Sequence, residues 1–124
     1  MPIIRVQIPE GYSNEVKDRI ADGLRDAINE AIDPGQNDRF PETRKWIYPA
    51  ITEAYGKLGF GLPTVTIDTR PGRTREQKDL VAKLICDLFE EVLGTRDVYV
   101  LLRTTGAGDH LAGGTALPEW QPDT

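Results

Sequence analysis

This chain of 124 residues has little that could hold a metal, cross-link a fold or cross a membrane. It contains one cysteine, Cys86, and one histidine, so an intramolecular disulfide framework and a zinc site of cysteine and histidine are both excluded. No apolar run approaches the ~18 residues of a membrane-spanning helix, and the N-terminus lacks the charged and apolar blocks of a signal peptide. We therefore expect a cytoplasmic protein.

Positive charge is also in the minority. The 15 lysines and arginines are outnumbered by 20 acidic residues, which gives a formal net charge of -5. Such a chain is a poor partner for nucleic acid, whose binding depends on neutralised phosphates. At this length we expect a single domain, residues 1–124, that is large enough for a core and small enough to gain from oligomerisation.

What the chain does have is an internal repeat. A shift of 61 positions places Pro2 on Pro63 and Gly11 on Gly72. Each copy begins with alternating apolar residues, which predict a half-buried strand, and continues through a glycine turn into a helix. The apolar strand positions are Ile4, Val6 and Ile8 in the first copy, Val65, Ile67 and Thr69 in the second, and Val98, Val100 and Leu102 in a last strand.

Both predicted helices carry capping signals. Ser13 is the expected N-cap of the first helix, which the turn at residues 33–35 ends. Thr74 and Gln77 have the spacing of a capping box at the start of the second helix, which ends at Gly94.

The return strand of the first copy is less clear. It is expected near residues 38–40, but Pro41 follows at once, and residues 42–58 have no clean period. A short helix around Trp46 to Tyr55 is one interpretation of this insert.

Together these elements predict an α+β fold. Two strand-helix-strand units, repeat one over residues 2–61 and repeat two over residues 62–105, would form a four-stranded sheet with two helices on one face. The tail over residues 106–124, rich in glycine and proline, is expected to be irregular and to cover the site or reach a neighbouring subunit.

Pro2 is the first candidate for chemistry. Removal of Met1 would leave a secondary amine on a rigid ring at the head of the first strand. An α-amino group has a pKa of ~7.7 to 8.0, which burial or a neighbouring cation lowers. Pro2 is thus a candidate general acid or base near neutral pH. The alternative is that it only begins an edge strand, where a missing N–H costs nothing.

Arg70 and Arg73 are the second candidates. Two guanidinium groups on one loop can form charge-assisted contacts to a carboxylate and fix a small oxo acid near Pro2, whose pKa they would lower. The alternative is a pair of solvated turn residues. Asp38 could orient a water, accept a proton or raise the pKa of Pro2, or it could be an ordinary turn residue after the helix.

The tandem repeat headed by Pro2 resembles the tautomerase superfamily. The stretch from Pro2 to Gly11 looks like the start of 4-oxalocrotonate tautomerase, and residues 70–78 are similar to the paired-arginine turn of malonate semialdehyde decarboxylase. The resemblance implies a tautomerase/MIF-like fold, a homotrimer and an enzyme without metal or cofactor. It also implies one pocket that holds Pro2, Asp38, Arg70 and Arg73, with catalytic roles for Pro2, Asp38 and Arg73 and substrate-binding roles for the two arginines.

Three functions follow as hypotheses. In the first, a tautomerase, neutral Pro2 moves a proton on a small oxo-carboxylic acid that Arg70 and Arg73 hold. The second is a lyase or hydratase of the malonate semialdehyde decarboxylase type, in which cationic Pro2, supported by Asp38, polarises the carbonyl. The third is a trimeric small-acid binding protein without catalysis.

Departures from the sequence pattern of the family argue against two of its activities. Tyr12 occupies the first-repeat position equivalent to Arg73, where the short tautomerases carry an arginine, so a dicarboxylate-specific tautomerase is disfavoured. Dehalogenation is rejected, because the catalytic positions of cis-3-chloroacrylic acid dehalogenase fall on Ile28, Leu101 and Ala112.

The only histidine, His110, lies in the glycine-rich run of residues 108–114. This run resembles the glycine hairpin that packs between subunits in the short tautomerases. Proton transfer by His110 and a plain loop role both stay open.

Overall fold

The computed structural model describes residues 3–32, 49–54 and 62–116. The strands of the main sheet run in the order β2-β1-β3-β4, with β1–β2 and β3–β4 parallel and β1–β3 antiparallel. This arrangement confirms the predicted α+β fold of a four-stranded sheet with two helices. The elements are β1 (Ile3–Pro9), α1 (Asn14–Ala31), β2 (Ala50–Ala54), β3 (Thr64–Thr69), α2 (Arg75–Leu93) and β4 (Tyr99–Thr104), followed by a short 3-10 turn (Ala107–Asp109), β5 (Leu111–Ala112) and β6 (Thr115–Ala116).

The core lies between the helices and one face of the sheet. Alternate strand residues point towards α1 and α2 and pack with the apolar stripes of both helices in a single cluster. Full burial of one such side chain stabilises the fold by about 1.5 to 3 kcal/mol. An apolar residue at every second strand position therefore contributes strongly to stability. The fully buried strand positions are Ile4, Val6, Ile8, Val65 and Ile67, and the helix positions are Ile20, Leu24, Ile28, Val81, Ile85 and Phe89. On the opposite face Ile3, Tyr99 and Leu101 are exposed.

The predicted helix caps are present. The amide of Val16 donates to Ser13 Oγ at 3.2 Å. Thr74 and Gln77 form a reciprocal capping box, with the Thr74 amide 2.8 Å from Gln77 Oε1. Gly94 ends α2 in the left-handed conformation, with a φ of 78°. Within the described ranges, no helix is both long and apolar enough to cross a membrane.

The glycine that joins strand to helix is required in both repeats. Gly11 and Gly72, which the repeat aligns, have φ values of 107° and 122°. A side chain strains the backbone in this region, and glycine does not. The same turn chemistry therefore explains why the two copies share a glycine here.

The return strand of the first repeat is where the sequence prediction was wrong. The parallel partner of β1 is β2, Ala50–Ala54. The predicted start of the strand, residues 38–40, lies outside the described residues. The suggested helix around Trp46 to Tyr55 is also wrong over residues 50–54. Only one large apolar residue, Ile51, faces the core from this short edge strand, so no alternating pattern marks it.

The described part of the tail, residues 106–116, has more secondary structure than its composition predicted. Residues 107–109 form a turn of 3-10 helix, and β5 and β6 pair as a hairpin. Its two-residue connection is Gly113 and Gly114, with φ values of 60° and 83°. Positive φ at both central residues suits the tight turn that two twisted strands need.

Candidate active site

The turn from β3 into α2 carries both predicted arginines. Arg70 directly follows β3, and Arg73 directly precedes Thr74, the N-cap of α2. Gly72 lies between them in the left-handed region. Despite their charge, Arg70 and Arg73 are only 6% and 8% exposed. The alternative of two solvated turn residues is therefore wrong, because surface arginines keep their guanidinium groups in water.

Arg73 is fixed by main-chain oxygens. Its Nη1 donates to the carbonyl of Arg70 at 2.8 Å, and its Nε donates to the carbonyl of Ile32 at 3.4 Å. Ile32 is the C-cap residue of α1. One side chain thus connects the last turn of the first helix to the loop that leads into the second helix.

The strand register brings the start of β1 to this loop. Ile3 lies opposite Asp68 in the antiparallel β1–β3 pair, and Arg70 follows Asp68 by two residues. Pro2 and Asp38 lie outside the described residues, so their place in one pocket with Arg70 and Arg73 stays a prediction. The described residues show that the N-terminal end of β1 and the arginine loop lie at the same end of the sheet.

A charge cluster beside the loop was missed by the sequence prediction. Asp68 accepts hydrogen bonds from Arg103 Nε at 2.7 Å and from Arg5 Nη1 at 3.1 Å. The hydrogen bond from Arg103, followed by the charges of Arg103 and Arg5, holds the pKa of Asp68 below its usual range despite partial burial. These residues sit on three neighbouring strands, and only the register reveals that they meet.

His110 is buried at the end of the 3-10 turn. Its backbone amide donates to the carbonyl of Ala107 at 3.0 Å. Its side-chain Nε2 is shielded from solvent and makes no hydrogen bond in the part of the chain that the structure describes. The His110 side chain is therefore not solvated. Participation of His110 in proton transfer stays a hypothesis.

The second repeat matches a known family. Residues 63–117 fit the family model described as Tautomerase enzyme. The resemblance to the tautomerase superfamily is thereby confirmed. The matched stretch includes β3, both arginines of the loop, α2, β4 and the hairpin. No curated protein matches the chain.

Solved structures of other proteins share the fold across both repeats. A fused 4-OT, solved as an asymmetric trimer, is similar with a TM-score of 0.76 and 24% identity, covering 92% of this chain and 94% of its own. A malonate semialdehyde decarboxylase is similar with a TM-score of 0.70 and 21% identity, covering 90% of each chain. A macrophage migration inhibitory factor-like protein from Entamoeba histolytica has a TM-score of 0.73 at 13% identity, covering 94% of this chain and 98% of its own.

The Asp68 cluster predicts a pH-dependent contribution to stability. Because the folded-state pKa of Asp68 is lowered, its stabilising effect is present above the unfolded pKa of about 3.9 and disappears as pH falls through the folded value. Asp68→Asn should lower the free energy of unfolding by about 1 to 2 kcal/mol near pH 7. Urea titrations at pH 7 and near pH 3 measure the difference, which should shrink at the lower pH.

Asp79→Asn is the matched control, since Asp79 pairs with Arg75 on the exposed face of α2. It should cost less than about 0.5 kcal/mol. Equal losses for the two variants would show that the Asp68 cluster is an ordinary surface ion pair.

Proposed function

We propose that this protein is a cofactor-free enzyme that tautomerises a small oxo-carboxylic acid, with Pro2 as its general acid and base. The observation that carries the proposal is the pairing of Ile3 with Asp68. Pro2 precedes Ile3 in the sequence, and Arg70 follows Asp68 by two residues. A proline amine at the head of β1 would therefore meet the buried arginine loop at the end of β3.

In the proposed reaction, the neutral nitrogen of Pro2 takes a proton from the carbon next to the substrate's carbonyl. The electron pair of that C–H bond forms the enol double bond, and the carbonyl oxygen gains negative charge. Return of the proton to another atom of the same substrate completes the isomerisation, so no second reactant is consumed. The arginine loop would hold the carboxylate and offset the developing charge.

The burial of the loop supports this chemistry. Arg70 and Arg73 place positive charge in surroundings from which water is largely excluded, where charges interact more strongly than in solvent. A neighbouring cation favours the neutral form of an amine and would lower the pKa of Pro2. We assign to Asp38, which follows α1 in the sequence, the role of orienting a water or accepting a proton.

Similar proteins support small acids as the substrate class. One neighbour was solved after inactivation by 2-oxo-3-pentynoate, and another was inhibited by 3-bromopropiolate. Both reagents are short acids that carry an alkyne. A malonate semialdehyde decarboxylase neighbour was studied with its first residue, proline, changed to alanine.

A decarboxylase or hydratase is the second candidate. It is favoured by the similarity to malonate semialdehyde decarboxylase over 90% of both chains. In that case Pro2 would act as a cation, and the arginines would bind the carboxylate that leaves. The two candidates therefore differ in the charge that Pro2 carries at the working pH.

We also propose that the protein is a homotrimer. The fused 4-OT neighbours were solved as trimers. In this chain, Ile3, Tyr99 and Leu101 are exposed on the sheet face opposite the helices. Covering such side chains with a second and third copy would remove apolar area from water.

Proton exchange tests the proposed reaction. In deuterated buffer the protein should catalyse the exchange of the C3 protons of 2-oxobutyrate, followed by proton NMR. Pro2→Ala should abolish catalysis, because the primary amine of alanine lacks the ring that fixes the direction of the nitrogen lone pair. Arg70→Met should slow exchange about 30-fold, the equivalent of about 2 kcal/mol for a lost charge-assisted contact.

Arg75→Met is the control, because it removes an equal charge from the exposed face of α2. Its exchange rate should match that of the unaltered protein. An exchange rate no faster than buffer, or one that Pro2→Ala leaves unchanged, would contradict the proposed function.

Sedimentation equilibrium tests the trimer. Leu101→Glu should dissociate it, because the new carboxylate would have to be buried without a partner. Leu80→Glu is a matched control, since Leu80 on α2 is 39% exposed and Leu101 is 41% exposed. A monomeric parent protein, or equal behaviour of the two variants, would argue against assembly through this face.

A further inference from the structure

We propose that Arg73 is a positioning residue that holds Arg70 in place, and that Arg70 makes the contact to the substrate carboxylate. The inference rests on the proposed function. It gives the two arginines different roles, whereas the family resemblance implied that both bind the substrate. It is carried by what the Arg73 side chain contacts in the folded chain.

The geometry of the Arg73 guanidinium favours a structural task. A bidentate contact to a carboxylate uses two neighbouring N–H groups on one edge of the group. The edge formed by Nε and Nη2 is closed to a carboxylate, because the single hydrogen of Nε is donated to the carbonyl of Ile32. Nη1 donates one of its two hydrogens to the carbonyl of Arg70, which fixes the position of the other edge. With 8% of the residue exposed, moving the guanidinium towards a substrate would break two buried hydrogen bonds.

The end of α1 has a specific need for this side chain. The last carbonyls of a helix have no partner within it, and the helix dipole makes this end negative. The last turn of α1 contains no basic residue. Its C-cap, Ile32, has φ of -122°, outside the left-handed region. Arg73 supplies a donor and a positive charge to this helix end from the second repeat.

The bond to the Arg70 carbonyl links this cap to the site. Nη1 of Arg73 is 2.8 Å from that oxygen, so the position of the Arg70 main chain depends on where Arg73 is anchored. Tyr12, the equivalent residue of the first repeat, has no guanidinium to form such a bridge. Loss of Arg73 should therefore weaken substrate capture through Arg70.

A double-variant cycle with two matched reagents tests this assignment. The reagents are 2-oxo-3-pentynoate and 3-pentyn-2-one, in which a methyl group replaces the carboxylate. In each case the Pro2 nitrogen adds to the alkyne carbon furthest from the carbonyl, and a solvent proton adds to its neighbour. Mass spectrometry of the N-terminal tryptic peptide gives the rate for the full-length protein and for Arg70→Met, Arg73→Met and the double variant.

A positioning role predicts a dependence on Arg70. Arg73→Met should slow labelling by the acid between about tenfold and a hundredfold, as expected for a misplaced binding group. It should change labelling by the ketone far less. In the Arg70→Met background, the same change should have less than about a twofold effect on labelling by the acid. Arg75→Met, the control, should leave both rates unchanged.

Other outcomes separate the possible failures. An undiminished effect of Arg73→Met in the Arg70→Met background would overturn the inference and make Arg73 a direct ligand. Equal slowing of both reagents would also overturn it, because that result indicates general loss of structure. If Arg73→Met does not fold, Arg73→Lys, which keeps the charge but loses the fork, takes its place in the cycle. No labelling of Pro2 in the unaltered protein by the acid would overturn the proposed function, and this inference with it.

Discussion

The antiparallel pairing of β1 with β3 is the interaction on which the rest of the structure depends. Ile4 lies opposite Ile67 and Val6 opposite Val65, so the two repeats contribute to one buried layer. A shift of one residue would turn this apolar set to the open face, and burial therefore fixes the register. Because the strands run in opposite directions, the head of β1 meets the end of β3. The same contacts that build the core thus bring the N-terminal end of β1 to the arginine loop.

The two repeats share a scaffold but differ at the residue that follows the turn glycine. Gly11 and Gly72 give both copies the same turn between strand and helix. The residue after that glycine is Tyr12 in the first copy and Arg73 in the second. Arg73 reaches across to the end of the first helix at Ile32, so the second copy stabilises the first at the place where the first lacks a basic residue. The difference at this one repeated position leaves the shared glycine turn unaltered.

Local signals made much of the fold predictable. A capping box at Thr74 and a left-handed glycine at Gly94 act within one turn of chain, so the sequence displays them directly. β2 could not be predicted in the same way, because Ile51 is its only large apolar residue and its pairing partner is distant in sequence. The Asp68 cluster requires the register of three strands. The partners of Arg73 are main-chain carbonyls, which carry no residue identity, so its contacts were not predictable.

The most direct measurement is an NMR titration of the Pro2 ring nitrogen in protein labelled with nitrogen-15, for the unaltered chain and for Arg70→Met. If Pro2 is a neutral base beside the buried arginines, its midpoint should fall below about 7, against ~7.7 to 8.0 for an ordinary α-amino group, and should rise in the variant. A midpoint above the ordinary value would contradict the account and indicate a cationic proline, as the decarboxylase candidate requires. A midpoint that the variant does not change would show that Arg70 does not act on Pro2.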